Sequence, residues 1–257
     1  MPVSIPTLDE THMMHKSGTA PPPSRAQSRR ALLERALAAG LFAAAAPPGW
    51  AQWFGRKPAP LPPGRSFWDL RGGVLIDGKR ATLQSRLTGG EVVEVAKGGK
   101  AIFVVGTDAF LLRENSRLEM QGGNGAVTLL RLTTGALLSV FGRTPVPKQA
   151  QGNTATVGIR GTGLYLEAEA QRTYVCLCYG SAEIAARDDP SIREQAVSIH
   201  HDVPRYVYAA GAGETQRIQR APLKNHDDLE LMLIETLVGR STPFSLFDEG
   251  YGSSRRY

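Results

Sequence analysis

Residues 154–184 read TATVGIRGTGLYLEAEAQRTYVCLCYGSAEI. Apolar and polar residues alternate in LYLEAE and again in TYVCLCY, the period of a strand with one buried face. The glycines of GIRGTG sit between an apolar run and the next alternating run, where a strand must bend sharply into its successor. Gly158-x-x-Gly161-x-Gly163 comes near a dinucleotide-binding fingerprint. That motif needs a helix after the glycines to meet the pyrophosphate, and here a strand pattern follows.

Outward from this stretch the same grammar repeats. From Gly72 to about Ala186, short β-favouring runs (GGVLIDGK, EVVEVAKGGKAIFVV, AFLLRENSRLEM, GGNGAVTLLRL, TTGALLSVFG) are separated by glycine-containing turns about every ten residues. VAKGGKA and MQGGNGA read as hairpin or coil turns. Two further strands are expected in QAVSIHH and RYVYAAG. The fold class is therefore mainly β: a single solenoid-like or sandwich-like domain of short strands, plus one C-terminal helix. Asn225 is a candidate cap for that helix, expected near residues 226–238. Asp227 and Asp228 fill its first turn, Leu229, Met232, Leu233 and Leu237 form an apolar stripe, and Gly239 is the stop. The expected organisation is a leader over residues 1–51, a Pro-rich linker over 52–71, a β domain over 72–210, a linker and helix over 211–240, and a flexible tail over 241–257.

The leader is read from SRRALLERALAAGLFAAAAPPGWAQ. Arg29 and Arg30 precede a short, Ala-rich apolar run that ends at Pro47-Pro48 and the small-residue site Gly49-Trp50-Ala51. Paired arginines and a weakly apolar core resemble a twin-arginine signal, with cleavage expected after Ala51 and delivery to the periplasm or outside. The apolar run is shorter than the ~20 residues that span a bilayer, so the mature chain is expected to have no transmembrane segment. The whole chain carries +6; residues 1–51 hold five basic and three acidic side chains, which leaves +4 for the remainder. With no basic stripe interleaved with aromatics, nucleic acid is excluded as a partner.

At TATVGIRGTGLYLEAE the chain resembles the FecR-type domain family, whose turn reads Gly-[IV]-[RK]-Gly-Thr-x-[FY]. Gly158, Ile159, Arg160, Gly161, Thr162 and Tyr165 match it, and the resemblance covers about residues 72–186. It implies that Gly158, Arg160, Gly161 and Thr162 form a structural turn in a β-rich periplasmic domain. Familiar members are inner-membrane sensors with a cytoplasmic anti-sigma segment and a membrane helix, which receive a signal from an outer-membrane transducer. This sequence departs from that plan, having a leader in place of the anti-sigma segment. The resemblance thus implies an envelope module whose partner is an envelope protein or a cell-wall component.

Both cysteines lie in TYVCLCYG. Alternation puts Tyr174, Cys176 and Cys178 on one face and Val175, Leu177 and Tyr179 on the other. Residues two apart on a strand have Cα atoms roughly 6.7 Å apart with parallel side chains. A disulfide needs Cβ atoms ~3.5–4.5 Å apart, so pairing them would break the strand. In an oxidising compartment idle exposed thiols do not persist. Burial as small hydrophobes, a strained redox disulfide and metal ligation remain. Beyond residue 51 the chain has three histidines, His200, His201 and His226. Cys-x-Cys followed by His-His supplies the ligand types of a tetrahedral zinc or iron site. Adjacent histidines on a regular strand face opposite ways, so both reach one ion only through a break, which Asp202 and Pro204 make available. Otherwise one histidine ligates, and Asp202 or His226 completes the shell.

The candidate ligands are therefore Cys176, Cys178, His200 and His201, for one zinc or iron ion. Three functions compete: a non-catalytic envelope binding or sensory module with a metal site, a periplasmic metalloenzyme or redox protein using the same cluster, and a scaffold with the cysteines as packing. No nucleophile elbow and no second acid–base pair at telling spacing is present, which favours a non-enzyme.

Overall fold

A computed structural model describes residues 58–244. The expected leader, the start of the linker and nearly all of the expected tail lie outside the described residues.

The described residues form fifteen strands and one helix, in order. They are β1 (Phe67–Arg71), β2 (Val74–Ile76), β3 (Lys79–Arg80), β4 (Val92–Val95), β5 (Lys100–Val105), β6 (Asp108–Leu112), β7 (Ser116–Gly123) and β8 (Ala126–Val140). Then come β9 (Lys148–Gln151), β10 (Ala155–Ile159), β11 (Gly163–Ala168), β12 (Arg172–Ala186), β13 (Arg193–Ser198), β14 (Val203–Tyr208), β15 (Ile218–Arg220) and α1 (Asp228–Leu237). One sheet runs β1-β5-β6-β8-β11-β12-β14-β15. The other runs β3-β2-β4-β7-β8-β9-β10-β12-β13. Pairing is antiparallel except between β8 and β9. Of the two architectures the sequence left open, the sandwich is the one formed.

The long strands β8 and β12 belong to both sheets, and each changes partners at a glycine. β8 pairs with β7 up to Thr134 and with β6 from Leu137, and Gly135 between them has φ +80°. β12 pairs with β11 up to Tyr179 and with β13 from Gly180, whose φ is +92°. A strand that turns a sandwich corner needs such a bend.

One core fills the space between the sheets, with Phe103, Phe110, Leu164 and Val175 from the first and Val93, Leu118, Leu130 and Val157 from the second. Strands of the second sheet alternate as the sequence predicts: β10 buries Ala155, Val157 and Ile159. Central strands of the first sheet are buried on both faces, as β6 is throughout. Ile102, Leu111, Leu138, Tyr165, Tyr174 and Cys176 are buried but lie outside the interlayer core. This outer face is where α1 packs, against β6 and β8.

Several boundaries differ from expectation. Phe67–Arg71, at the end of the expected linker, is a strand paired with β5, because Phe67 is a core residue. Ile218–Arg220, also expected as linker, pairs with β14. VAKGGKA carries the chain from β4 in one sheet to β5 in the other, whereas MQGGNGA closes the β7–β8 hairpin through Asn124 and Gly125, both at positive φ. The cap of α1 is Asp227, whose carboxylate accepts from Glu230 N at 2.9 Å; Asn225 stands outside the helix at φ +60°. The buried stripe is Leu231, Leu233, Ile234 and Leu237, while Leu229 is exposed. Gly239, at φ +73°, ends the helix as expected.

A buried ion pair supports the sandwich end near β6. Lys148 Nζ lies 2.6 Å from both oxygens of Asp108, and Gly142 N donates to the same carboxylate at 2.9 Å. Exposure is 8% and 1% for the two side chains. Asp108→Ala alone is expected to cost about 3–5 kcal/mol, because it strands the ammonium; adding Lys148→Met should recover most of the loss. Urea unfolding of the single and double variants checks this.

Candidate metal centre

Three segments distant in sequence converge beside the corner of β12. Cys176 and Cys178 come from its first half. The register places Gly163 opposite Tyr179 and Leu164 opposite Leu177, so Cys178 is an extra residue in a bulge. The bulge resets the alternation: Tyr179, expected to share a face with Leu177, instead donates its hydroxyl to Glu235 of α1. Its ring occupies the space a side chain at Gly163 would fill, 2.5 Å from where a Cβ would sit.

The break expected after the histidine pair is present. Residues 199–202 carry the chain from β13 in the second sheet to β14 in the first. Asp202 closes this turn, accepting from Ile199 N and His200 N, both at 3.0 Å. The carboxylate therefore serves the turn and is not among the converging donors. His201 has φ +55°, a left-handed conformation uncommon for a residue with a side chain, and its N–H donates to Cys178 O at 2.8 Å. This conformation turns the ring towards the cysteines.

His226 arrives from the segment leading into α1, its ring stacked on Tyr165 with centroids 4.3 Å apart. The donor atoms of Cys176, Cys178, His201 and His226 all lie within 4.8 Å of one another, and all four residues are buried. His201 Nδ1 is 3.7 Å from Cys176 Sγ and 3.0 Å from His226 Nε2. A tetrahedral ion with Zn–S of about 2.3 Å and Zn–N of about 2.0–2.1 Å holds its donors roughly 3.3–3.8 Å apart.

The outer partners decide where the imidazole protons sit. His226 Nδ1 is 2.7 Å from Lys224 O, and a carbonyl can only accept. His201 Nε2 is 3.0 Å from Asp228 Oδ1, and a carboxylate accepts likewise. With both protons on the far nitrogens, two lone pairs face each other across 3.0 Å, beside two sulfurs. Such an arrangement needs a cation between them, either a metal ion or an added proton. Carboxylate–His and carbonyl–His bonds of this kind orient metal ligands.

Without a metal, the charges still separate. Burial alone raises the Cys176 thiol, but hydrogen bonds from Cys178, His201 and His226 outweigh it and hold this group well below the usual thiol value. Burial, with the neighbouring Cys176 thiolate, pushes Cys178 well above it. Burial opposes the charge on His201, yet Asp228 and Cys176 raise its imidazole to about 9. The pocket thus favours a thiolate next to a cation.

The structure brings together Cys176, Cys178 and His201 of the residues singled out in the sequence, and of the two that could complete the shell it supplies His226 and not Asp202. His200 points elsewhere: its Nε2 meets Asp228 Oδ1 at 2.8 Å, so His200, His201 and Asp228 form an adjoining group. In the sequence Asp228 reads only as a helix-end charge. Its position two residues after His226 is the available signal.

Of the turn expected at Gly158, Arg160, Gly161 and Thr162, residues 160–162 lie next to this corner and carry the chain from β10 to β11, whereas Gly158 is a strand residue, paired within the sheet on both sides of β10. Gly161 has φ +68°, and a Cβ there would sit 2.8 Å from Arg143 Cγ. Thr162 is fully buried and Arg160 exposed. Gly158 has ordinary φ, and a Cβ there would lie 3.9 Å from its nearest neighbours. Gly161→Val is therefore expected to cost about 2 kcal/mol or more, while Gly158→Ala is neutral or stabilising by ~0.4–1 kcal/mol. Chemical denaturation of the two variants separates them.

No known protein family matches the chain, and no curated protein does. Among solved structures, two crystal structures of a candidate anti-sigma factor from Parabacteroides distasonis are similar to it. One is 13% identical with a TM-score of 0.41, the other 12% identical with a TM-score of 0.40. In both cases the likeness covers 51% of this chain and 58% of that chain.

Proposed function

We propose that this chain is an exported, non-catalytic envelope module of FecR type that holds one zinc or iron ion through Cys176, Cys178, His201 and His226. One observation carries the metal reading: the outer nitrogens of both imidazoles meet acceptors, Lys224 O and Asp228 Oδ1, which leaves their inner nitrogens to face two buried thiols. Burial of all four donors supports a structural or sensory role, because a catalytic ion keeps an open position for water or substrate. The envelope reading rests on the GIRGT turn and the leader-like first 51 residues. No described helix is long and apolar enough to cross a membrane. The partner on this reading is an envelope protein or a cell-wall component.

Elemental analysis of untagged protein purified from its native compartment tests the metal. About one ion per chain is expected, retained in His200→Ala and lost in His201→Ala and His226→Ala. Metal-free native protein would leave the cysteines as core packing. Two ions per chain would instead point to His201 bridging both groups. Export is tested by Arg29→Lys/Arg30→Lys, which is expected to strand the precursor inside the cell; unchanged delivery would assign the leader to the general secretory route.

A further inference from the structure

We propose that the metal ion is a latch: it fastens the C-terminal segment, residues 222–237, over the outer face of the first sheet, and its loss frees that segment while the sandwich stays folded. The latch rests on the metal reading above and concerns what occupancy controls.

The donors divide unequally between the two parts. Cys176 and Cys178 lie on β12 and His201 in the turn before β14, all inside the sandwich. His226 belongs to the segment entering α1, and Asp228, the first residue of α1, receives hydrogen bonds from both His200 and His201. The site therefore joins the helix start to the sheet.

The helix has ten residues, too few to persist in water without tertiary contacts. Beneath the segment lie Tyr165, Tyr174, Ile102, Leu111 and Leu138, which belong to no other core. Besides the apolar stripe of α1 and the stack of His226 on Tyr165, its fastenings near the site are polar: Arg113 to Asn225 O and Glu230, Lys224 to Glu167, and Tyr174 to Pro222 O. Removing the cation leaves the facing lone pairs of His201 and His226 repelling, or requires a proton in its place. Loss of the ion removes its bonds between His226 and the donors of the sandwich, and so loosens the lead-in to α1. The sandwich keeps its own hydrogen-bonded ladders and its interlayer core, and that core includes no metal ligand. Occupancy would thus decide whether an apolar sheet face is covered or available.

Hydrogen exchange read by mass spectrometry tests this on the untagged full chain, as zinc-loaded protein and after chelation, with metal content measured on the same samples. Chelation is expected to speed exchange across residues 222–240 at least tenfold, leave β7, β9 and β10 unchanged, and reverse on adding zinc. His226→Ala should show the fast pattern even with zinc present. Demonstrated metal loss with unchanged exchange in α1 overturns the latch and leaves the metal site standing, as does simultaneous loss of protection over the whole domain. Protein that holds no metal as purified or after zinc addition overturns the metal reading and the latch with it.

Discussion

Cys176→Ser/Cys178→Ser is expected to abolish metal retention and lower the thermal midpoint by about 10 °C or more. Both thiols are buried, and both belong to the group of four donors. An ion bound by the folded state alone adds its binding free energy to stability, and structural zinc in small peptides reaches ~10–16 kcal/mol. Retaining even ~5 kcal/mol of that corresponds to roughly 10–20 °C in a domain of this size. The controls separate this from loss of packing. If an ion is responsible, a chelator lowers the parent's midpoint by a similar amount and does nothing further to the variant. If the cysteines merely fill space, chelation leaves the parent unchanged and the serines cost only ~1–3 kcal/mol each for buried hydroxyls.

The second large effect is at the sandwich corner. Gly135→Val is expected to cost more than about 4 kcal/mol, leaving little folded protein at 37 °C. Two penalties combine: a β-branched residue forced to φ +80°, and a Cβ 2.0 Å from Ser116 Oγ and 2.6 Å from Ser116 Cα. Ser116 cannot easily retreat, since its hydroxyl accepts from Ala136 N at 2.9 Å. Gly125→Val is the matched control, with φ +75° and nothing within 4 Å of its Cβ position. It carries the backbone strain without the clash, about 1–3 kcal/mol. Urea midpoints with unchanged slopes would attribute the difference to the native state. Equal costs at the two positions would show that Gly135 is needed only for its φ.

Strands were legible wherever one face is wet. β10 and β7 alternate in sequence and in burial, and the Asn124-Gly125 pair announces its hairpin. The helix was legible in its location and its glycine stop, but not in its cap or stripe. Asn225 and Asp227 are both competent caps, and the choice depends on Arg113 holding Asn225 O at 2.6 Å. The buried stripe shifted to Leu231 and Ile234 because the sheet beneath sets which side faces inward. Continuous apolar runs such as AFLL in β6 were the signal of a sheet covered on both faces, which the strand pattern alone did not distinguish.

For the site, residue chemistry and strand period were enough to put two thiols on one face, to disfavour a disulfide between them, and to require a break before adjacent histidines could share a target. These properties are local, set by side-chain alternation and by φ preferences within a few residues. The tertiary structure decided what local rules do not reach. It formed a sandwich with β8 and β12 bent through both sheets, turned Tyr179 over by a bulge opposite Gly163, selected His201 over His200, and brought in His226 and Asp228 from the start of α1. Each of these depends on pairing between segments dozens of residues apart, whose register follows from the packing of the whole core and not from any single stretch of chain.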